Sequence, residues 1–327
     1  MTTILDFFDN LQYAYLQRAL FSTIIVGIVC GLIGVFIILK GMSFLGAGIA
    51  HSCFAGGALA ILLGIDPFFT IFAFGEATAL IIGYINKRDK SSQNDTAVGI
   101  MFSLSMALAI LFVGLNKEYN TNIQSLLFGN ALLITNENFI RLLVISATVL
   151  VIFFLLKKEL LFIIFDESMA KISGISVNLL NYLFVGMIAA IVTISLRAIG
   201  AILVFAMIVT PAAAAYQWTY KINRMLLLSA LFGGLSSFFG MILSFIFDLP
   251  TGSTIVLMVT FIFGISFIFS PKRNTPSLIS SKDQATHTKN CRYCRDLSQI
   301  EDCPYCQEEE HHEMLVNQGG EVNNDFE

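Results

Sequence analysis

Two ionisable side chains stand in stretches otherwise suited to the interior of a membrane. His51 lies in "GMSFLGAGIAHSCFAGGALAILLGIDPFF" (41–69) and Glu76 in "FFTIFAFGEATALIIGYI" (68–85). The other histidines, His287, His311 and His312, are near the C-terminus. An ionisable group inside a span is costly and marks a functional site by default; the plainer alternative is a neutral imidazole bonded to a neighbouring helix. The two runs flank the short turn Gly64-Ile65-Asp66-Pro67, so they read as an antiparallel hairpin. At ~1.5 Å per residue His51 and Glu76 lie roughly 20 and 14 Å from that turn, within about one helical turn in depth. An imidazole and a carboxylate at similar depth can share a proton or a divalent cation. First-row ions such as Zn²⁺ or Mn²⁺ accept that mixed N/O set. Cys53, two residues from His51, falls on another helical face and reads as a small packing residue.

A second group of ligand-type residues lies in the tail: Cys291-x-x-Cys294, eight residues, then Cys303-Pro-Tyr-Cys306. Each C-x-x-C sets two thiolates on one tight turn, and four complete a tetrahedral Zn²⁺ site. The short spacer predicts a small knuckle with little core, and a reducing cytoplasm disfavours disulfides there. A redox dithiol and a disordered tail are the alternatives. "EEEHHE" (308–313) either adds ligands or is a solvated acidic run; it is not a metalloprotease motif, because no histidine follows His312-Glu313 at the required spacing.

The elements that must position these groups follow from composition. The chain of 327 residues is 56% hydrophobic and 13% charged, whereas a soluble domain is about a quarter charged. Apolar runs near the ~20 residues that cross a bilayer recur from Phe21 to Ser270. They are continuous rather than alternating, which excludes a β-barrel. The predicted spans are 20–39, 43–64, 67–86, 97–115, 139–156, 178–196, 199–217, 225–247 and 252–270, eight or nine in all, with a re-entrant segment at 121–134 as the feature that would change the count. Asp6 and Asp9 stand where the basic region of a cleavable signal would lie.

Basic loops at Lys87-Arg88-Asp89-Lys90, Lys157-Lys158 to Lys171, Lys221 to Arg224 and Lys272-Arg273 fall on one side of a consistent zigzag. The positive-inside rule makes that side cytoplasmic, together with the tail, and sets the N-terminus outside if all nine spans cross. Residues 271–327 hold six Lys/Arg against eleven Asp/Glu, a net of −5; the whole chain is −4, so the first 270 residues sum to +1. The acidity belongs to the tail and carries no indication of nucleic-acid binding. Gly27, Gly31, Gly34, Gly46, Gly48, Gly56 and Gly57 predict close helix–helix contacts. Pro211 and "GGLSS" (233–237) predict kinks or broken helices. No G-x-x-x-x-G-K-[ST] phosphate loop occurs, so this chain does not hydrolyse ATP by that route.

Several stretches, in order, resemble the permease subunit of ABC transporters for manganese, zinc or iron, the metal-ion ABC-3 family. They are "FIILKGMSFLGAGIAHSCFAGGALAILLGIDPFF", "DTAVGIMFS" (95–103), "LLFGNALLIT" (126–135), "DESMAKISGISVN" (166–178) and "AIGAILVFAMIVTPAAAAY" (198–216). The resemblance covers roughly residues 15–270. It implies an all-α polytopic fold related to the vitamin B12 importer type, in the cytoplasmic membrane. It also implies a homodimer, a separate ATPase subunit and an extracytoplasmic metal-binding protein. The transported ion would be Mn, Zn or Fe; import of metal chelates or another small solute is the alternative. His51 matches the family's metal-path histidine, but the aspartate four residues before it is Ala47 here. Glu76 is then a substitute carboxylate from the neighbouring helix. The stretch 160–177, with Asp166, Glu167, Lys171 and Gly174, matches the element that docks the ATPase. Asp66, Glu118, Glu137 and Asp248 are expected on the outer face. The expected organisation is a permease domain at 1–270, a linker at 271–290, a zinc-binding tail at 291–313 and a disordered acidic end at 314–327.

Overall fold

The computed structural model describes residues 12–88, 94–116, 129, 131 and 134–270. The cysteine tail and most of 121–134 lie outside the described residues. All regular structure described is helical. The helices are α1 (Ala14–Leu39), α2 (Leu45–Leu63), α3 (Pro67–Arg88), α4 (Asn94–Leu115), α5 (Asn136–Phe165), α6 (Glu167–Ile172), α7 (Val177–Ile199), α8 (Ala201–Trp218), α9 (Ile222–Phe247) and α10 (Thr251–Ile268). Eight are long and apolar enough to cross a membrane by length and composition; the apolar stretch of α8, Leu203–Trp218, is shorter. The nine predicted spans each fall on one of these helices, to within a few residues at most ends.

Local chemistry sets the ends. α2 closes on Gly64 at φ 68°, a left-handed cap that glycine adopts without a Cβ penalty. Asp66 Oδ1 then accepts the Phe68 amide at 3.0 Å, and Pro67 opens α3 without wasting a donor. Thr135 Oγ1 takes the Asn138 amide to start α5, and Asp166 Oδ1 takes the Met169 amide at 2.8 Å to start α6.

Packing depends on small residues at crossings. A Cβ on Gly27 would collide with the Gly233 carbonyl, and one on Gly233 with the Gly27 carbonyl. One turn along, Ser229 Oγ donates to the Gly31 carbonyl at 2.7 Å. α1 and α9 therefore approach backbone to backbone, where lipid provides no hydrophobic drive and van der Waals contact must supply the association. The predicted breaks at Pro211 and 233–237 are absent: α8 and α9 run through both. Gly233 is consumed by close approach, and Ser236 and Ser237 both donate back to its carbonyl at 2.9 Å, so the backbone there keeps its partners.

Candidate functional site

α2 is almost wholly buried in its first four turns except along one stripe. Phe44, Ala47 and His51, spaced three and four apart, retain partial exposure while Leu45, Gly46, Gly48, Ile49, Ala50, Ser52, Cys53 and Phe54 are buried. That spacing places the three on one helix face. Phe44 stacks on Phe205 of α8 with ring centroids 6.1 Å apart. The His51 imidazole sits edge-on to Phe102 of α4 at 4.6 Å. Its Nδ1 is buried and has no hydrogen-bond partner among the described residues. A satisfied packing histidine would have spent that nitrogen on a neighbouring helix. Here it is held in an aromatic frame with a ring nitrogen free, the condition a metal ligand requires.

Ser52 and Cys53 face the other way. Ser52 Oγ donates to the Phe74 carbonyl at 3.0 Å, and Cys53 Sγ lies 3.4 Å from Thr193 Oγ1 of α7. Cys53 is thus the packing residue expected. Glu76 is half-buried on α3, and its Oε2 lies 3.4 Å from where a Cβ on Gly186 of α7 would sit. His51 thus touches Phe102 of α4, and Glu76 lies against Gly186 of α7. No group of three or more His, Cys, Asp or Glu able to hold a metal occurs among the described residues. Ala47 sits one turn from His51 on the open stripe, where a longer polar residue would reach the same space.

The stretch expected to dock the ATPase contains a short helix. α5 ends at Phe165, Asp166 caps the six-residue α6, and Gly174 turns the chain at φ 82°. Lys171 Nζ bonds Glu167 Oε1 at 2.6 Å. Sequence reasoning passed over Lys40, which follows α1 directly. Its Nζ donates to Asn181 Oδ1 of α7 at 2.7 Å and lies 5.5 Å from the Phe184 ring centroid. Burial lowers its pKa to about 8, opposed by the Glu167 carboxylate. The signal was a basic residue closing an apolar run in "FIILKGMS".

At the other end, Arg141 bridges Asp66 at 3.5 Å, bonds Glu137 and covers the Phe68 ring at 4.6 Å. It ties the start of α5 to the start of α3, and it answers two of the four expected outer charges. Asp248 caps α9 in the left-handed region at φ 52°; Glu118 lies outside the described residues.

Comparison with known proteins agrees in kind with this architecture. The family described as "ABC 3 transport family" matches residues 12–270. The manganese transport system membrane protein MntC of Listeria monocytogenes is 40% identical over 264 residues, covering 80% of this chain and 93% of that protein. The chelated iron transport system membrane protein YfeC of Yersinia pestis is 36% identical over 261 residues, covering 80% and 88%. Among solved structures, PsaBC from Streptococcus pneumoniae in complex with Fab superposes with a TM-score of 0.74 at 37% identity, covering 84% of this chain and 98% of that one.

Proposed function

Because the chain belongs to the ABC 3 transport family, we propose that it is the multi-pass permease of an ATP-driven importer for divalent transition metals, manganese or iron, in the cell membrane. The cargo follows the relatives named for manganese and iron; zinc, the third cargo the sequence resemblance allows, is named by none of the three described above. The observation that carries the site is His51: a partly open imidazole whose Nδ1 is unspent, on the Phe44–Ala47–His51 stripe. The ion meets His51 in passage. Glu76, on the neighbouring α3, supplies the substitute carboxylate for the aspartate that Ala47 replaces.

ATP hydrolysis belongs to a separate ATPase subunit that presses on the α6 element through Asp166, Glu167, Lys171 and Gly174. A second copy of the permease completes the path, and an extracytoplasmic binding protein delivers the ion. The tail cysteines, Cys291, Cys294, Cys303 and Cys306, hold a structural or regulatory Zn²⁺.

The test is metal accumulation, read by elemental mass spectrometry, in cells expressing the chain with its ATPase and binding protein. Manganese or iron should accumulate with wild type. His51→Ala should lose at least the ~10–100-fold that even outer-shell changes cost a metal site. Glu76→Gln should impair uptake comparably. Unchanged uptake in His51→Ala makes His51 a packing residue and overturns the proposed path.

A further inference from the structure

A groove of about 400 Å³ runs along the surface between α1, α5 and α9. Its walls are Ile28 and Leu32 of α1, Phe154 of α5 and Leu227 of α9, with Ala230 on the same face of α9. Two polar side chains close one end: Lys157 Nζ donates to Asn223 Oδ1 at 2.6 Å, joining α5 to α9. The depth of that end follows from helix geometry. Lys157 is the twenty-second residue of α5, so it stands roughly 32 Å along the axis from Asn136, about the thickness of the hydrocarbon layer. Asn223 is the second residue of α9 and is followed by Arg224. The apolar walls therefore lie at acyl-chain depth and the polar end at headgroup depth.

Charge identifies the occupant. Lys158, next in sequence to Lys157, and Lys221 and Arg224, on either side of Asn223, are exposed. The nearest carboxylate in sequence, Glu159, has its Oε2 buried away from the surface. A greasy slot with Lys157 at its polar end, on helix ends rich in further cations, complements an anionic diacyl phospholipid, whose chain fills the slot and whose phosphate meets the Lys157 ammonium. A helix of a second protein would satisfy the walls and leave the cations unanswered.

We propose that the α1–α5–α9 groove is a binding site for an anionic phospholipid of the leaflet that faces the basic loops. Occupation replaces the Asn223 carbonyl, wholly or in part, as the partner of Lys157. The lipid then bridges α5, which leads into the α6 element, to α9.

The assembled transporter, purified in detergent, is titrated with phosphatidylglycerol or phosphatidylcholine of the same chain length, and bound lipid is counted by native mass spectrometry. Wild type should prefer phosphatidylglycerol. Lys157→Gln should reduce that preference roughly fivefold, the loss expected for one cation at the headgroup level. Ala230→Phe, which fills the slot and leaves every charge in place, should lower retention of both lipids. Equal binding of the two lipids by wild type overturns the proposal, as does a Lys157→Gln variant with undiminished preference. A folded Ala230→Phe protein that retains lipid normally does so too. Should Ala230→Phe fail to fold, the Lys157→Gln titration decides. Efficient disulfide crosslinking of Leu227→Cys between two permease copies in the assembled complex would assign the groove to a subunit interface and overturn it as well.

Discussion

Replacing Gly31 by alanine tests the α1–α9 crossing at one atom. A Cβ there would lie 2.7 Å from the Ser229 carbonyl oxygen and 3.1 Å from Ser229 Oγ, where ordinary contact starts at 3.4 Å. The nearest obstacle is backbone, so it has no rotamer to escape into. The helices must part by roughly 0.7 Å at this level, the difference between those two separations, which places the change among overpacked substitutions costing about 1–3 kcal/mol. The same displacement strains the Ser229 Oγ to Gly31 carbonyl bond, and a bond of this type within a membrane contributes about 0.6 kcal/mol on average.

Against this, alanine gains about 1 kcal/mol in helix propensity over glycine. The net is a loss of roughly 0.6–2.6 kcal/mol. Gly99 on α4 is the control, since nothing lies within 4 Å of a Cβ built there. Gly99→Ala should be neutral or more stable than wild type. Unfolding in mixed micelles, followed by fluorescence of Trp218, the chain's one tryptophan, measures both variants. If Gly31→Ala unfolds together with Gly99→Ala, the backbone-to-backbone crossing is wrong.

Three further outcomes follow from groups outside the spans. Lys40 is depressed to about 8 by burial, so below pH 8 the folded protein keeps an ammonium it disfavours. Between pH 8 and about 10.5 the unfolded chain holds more protons than the folded one, and stability should rise with pH. Lys40→Met should flatten that rise, which is worth up to roughly 3 kcal/mol, in unfolding titrations at pH 7, 9 and 10.5. Asp166→Ala removes the cap of α6 and should cost about 1 kcal/mol locally, read as faster amide exchange over Glu167–Ile172 while α7 stays protected. For the proposed zinc tail, Cys291→Ser should release one zinc per chain by elemental analysis while metal uptake continues; unchanged zinc content places the ion elsewhere.

The spans were legible because lipid demands long continuous apolar runs and basic loops at their ends, both plain in the residue order. The faces were not. A helix apolar all round, such as α1 or α10, carries no periodic mark of which side meets a neighbour, so the pairing of Gly27 with Gly233 could not be foreseen from either alone. The same gap affects the site. Depth placed His51 and Glu76 within a turn of each other, but the sequence carried no mark of the neighbours each meets, Phe102 for one and Gly186 for the other. The break signal at 233–237 is answered by the close contact of Gly233 with Gly27, distant in sequence, and by the Ser236 and Ser237 hydroxyls within the same helix. Asp166 and Gly174, both named from the sequence, bound α6 through contacts within a few residues.

The length of α5 has a mechanical meaning. Thirty residues make an unbroken rod of about 45 Å, half as long again as the hydrocarbon layer it crosses. One end hands the chain to α6 through Asp166; near the other, Arg141 grips Asp66 and Phe68 at the head of the helix that carries Glu76. A rod this long is a lever. A tilt of about five degrees at its inner end sweeps the outer end through roughly 4 Å. A push on α6 can therefore be felt at the far mouth of the membrane without any residue in between changing its conformation.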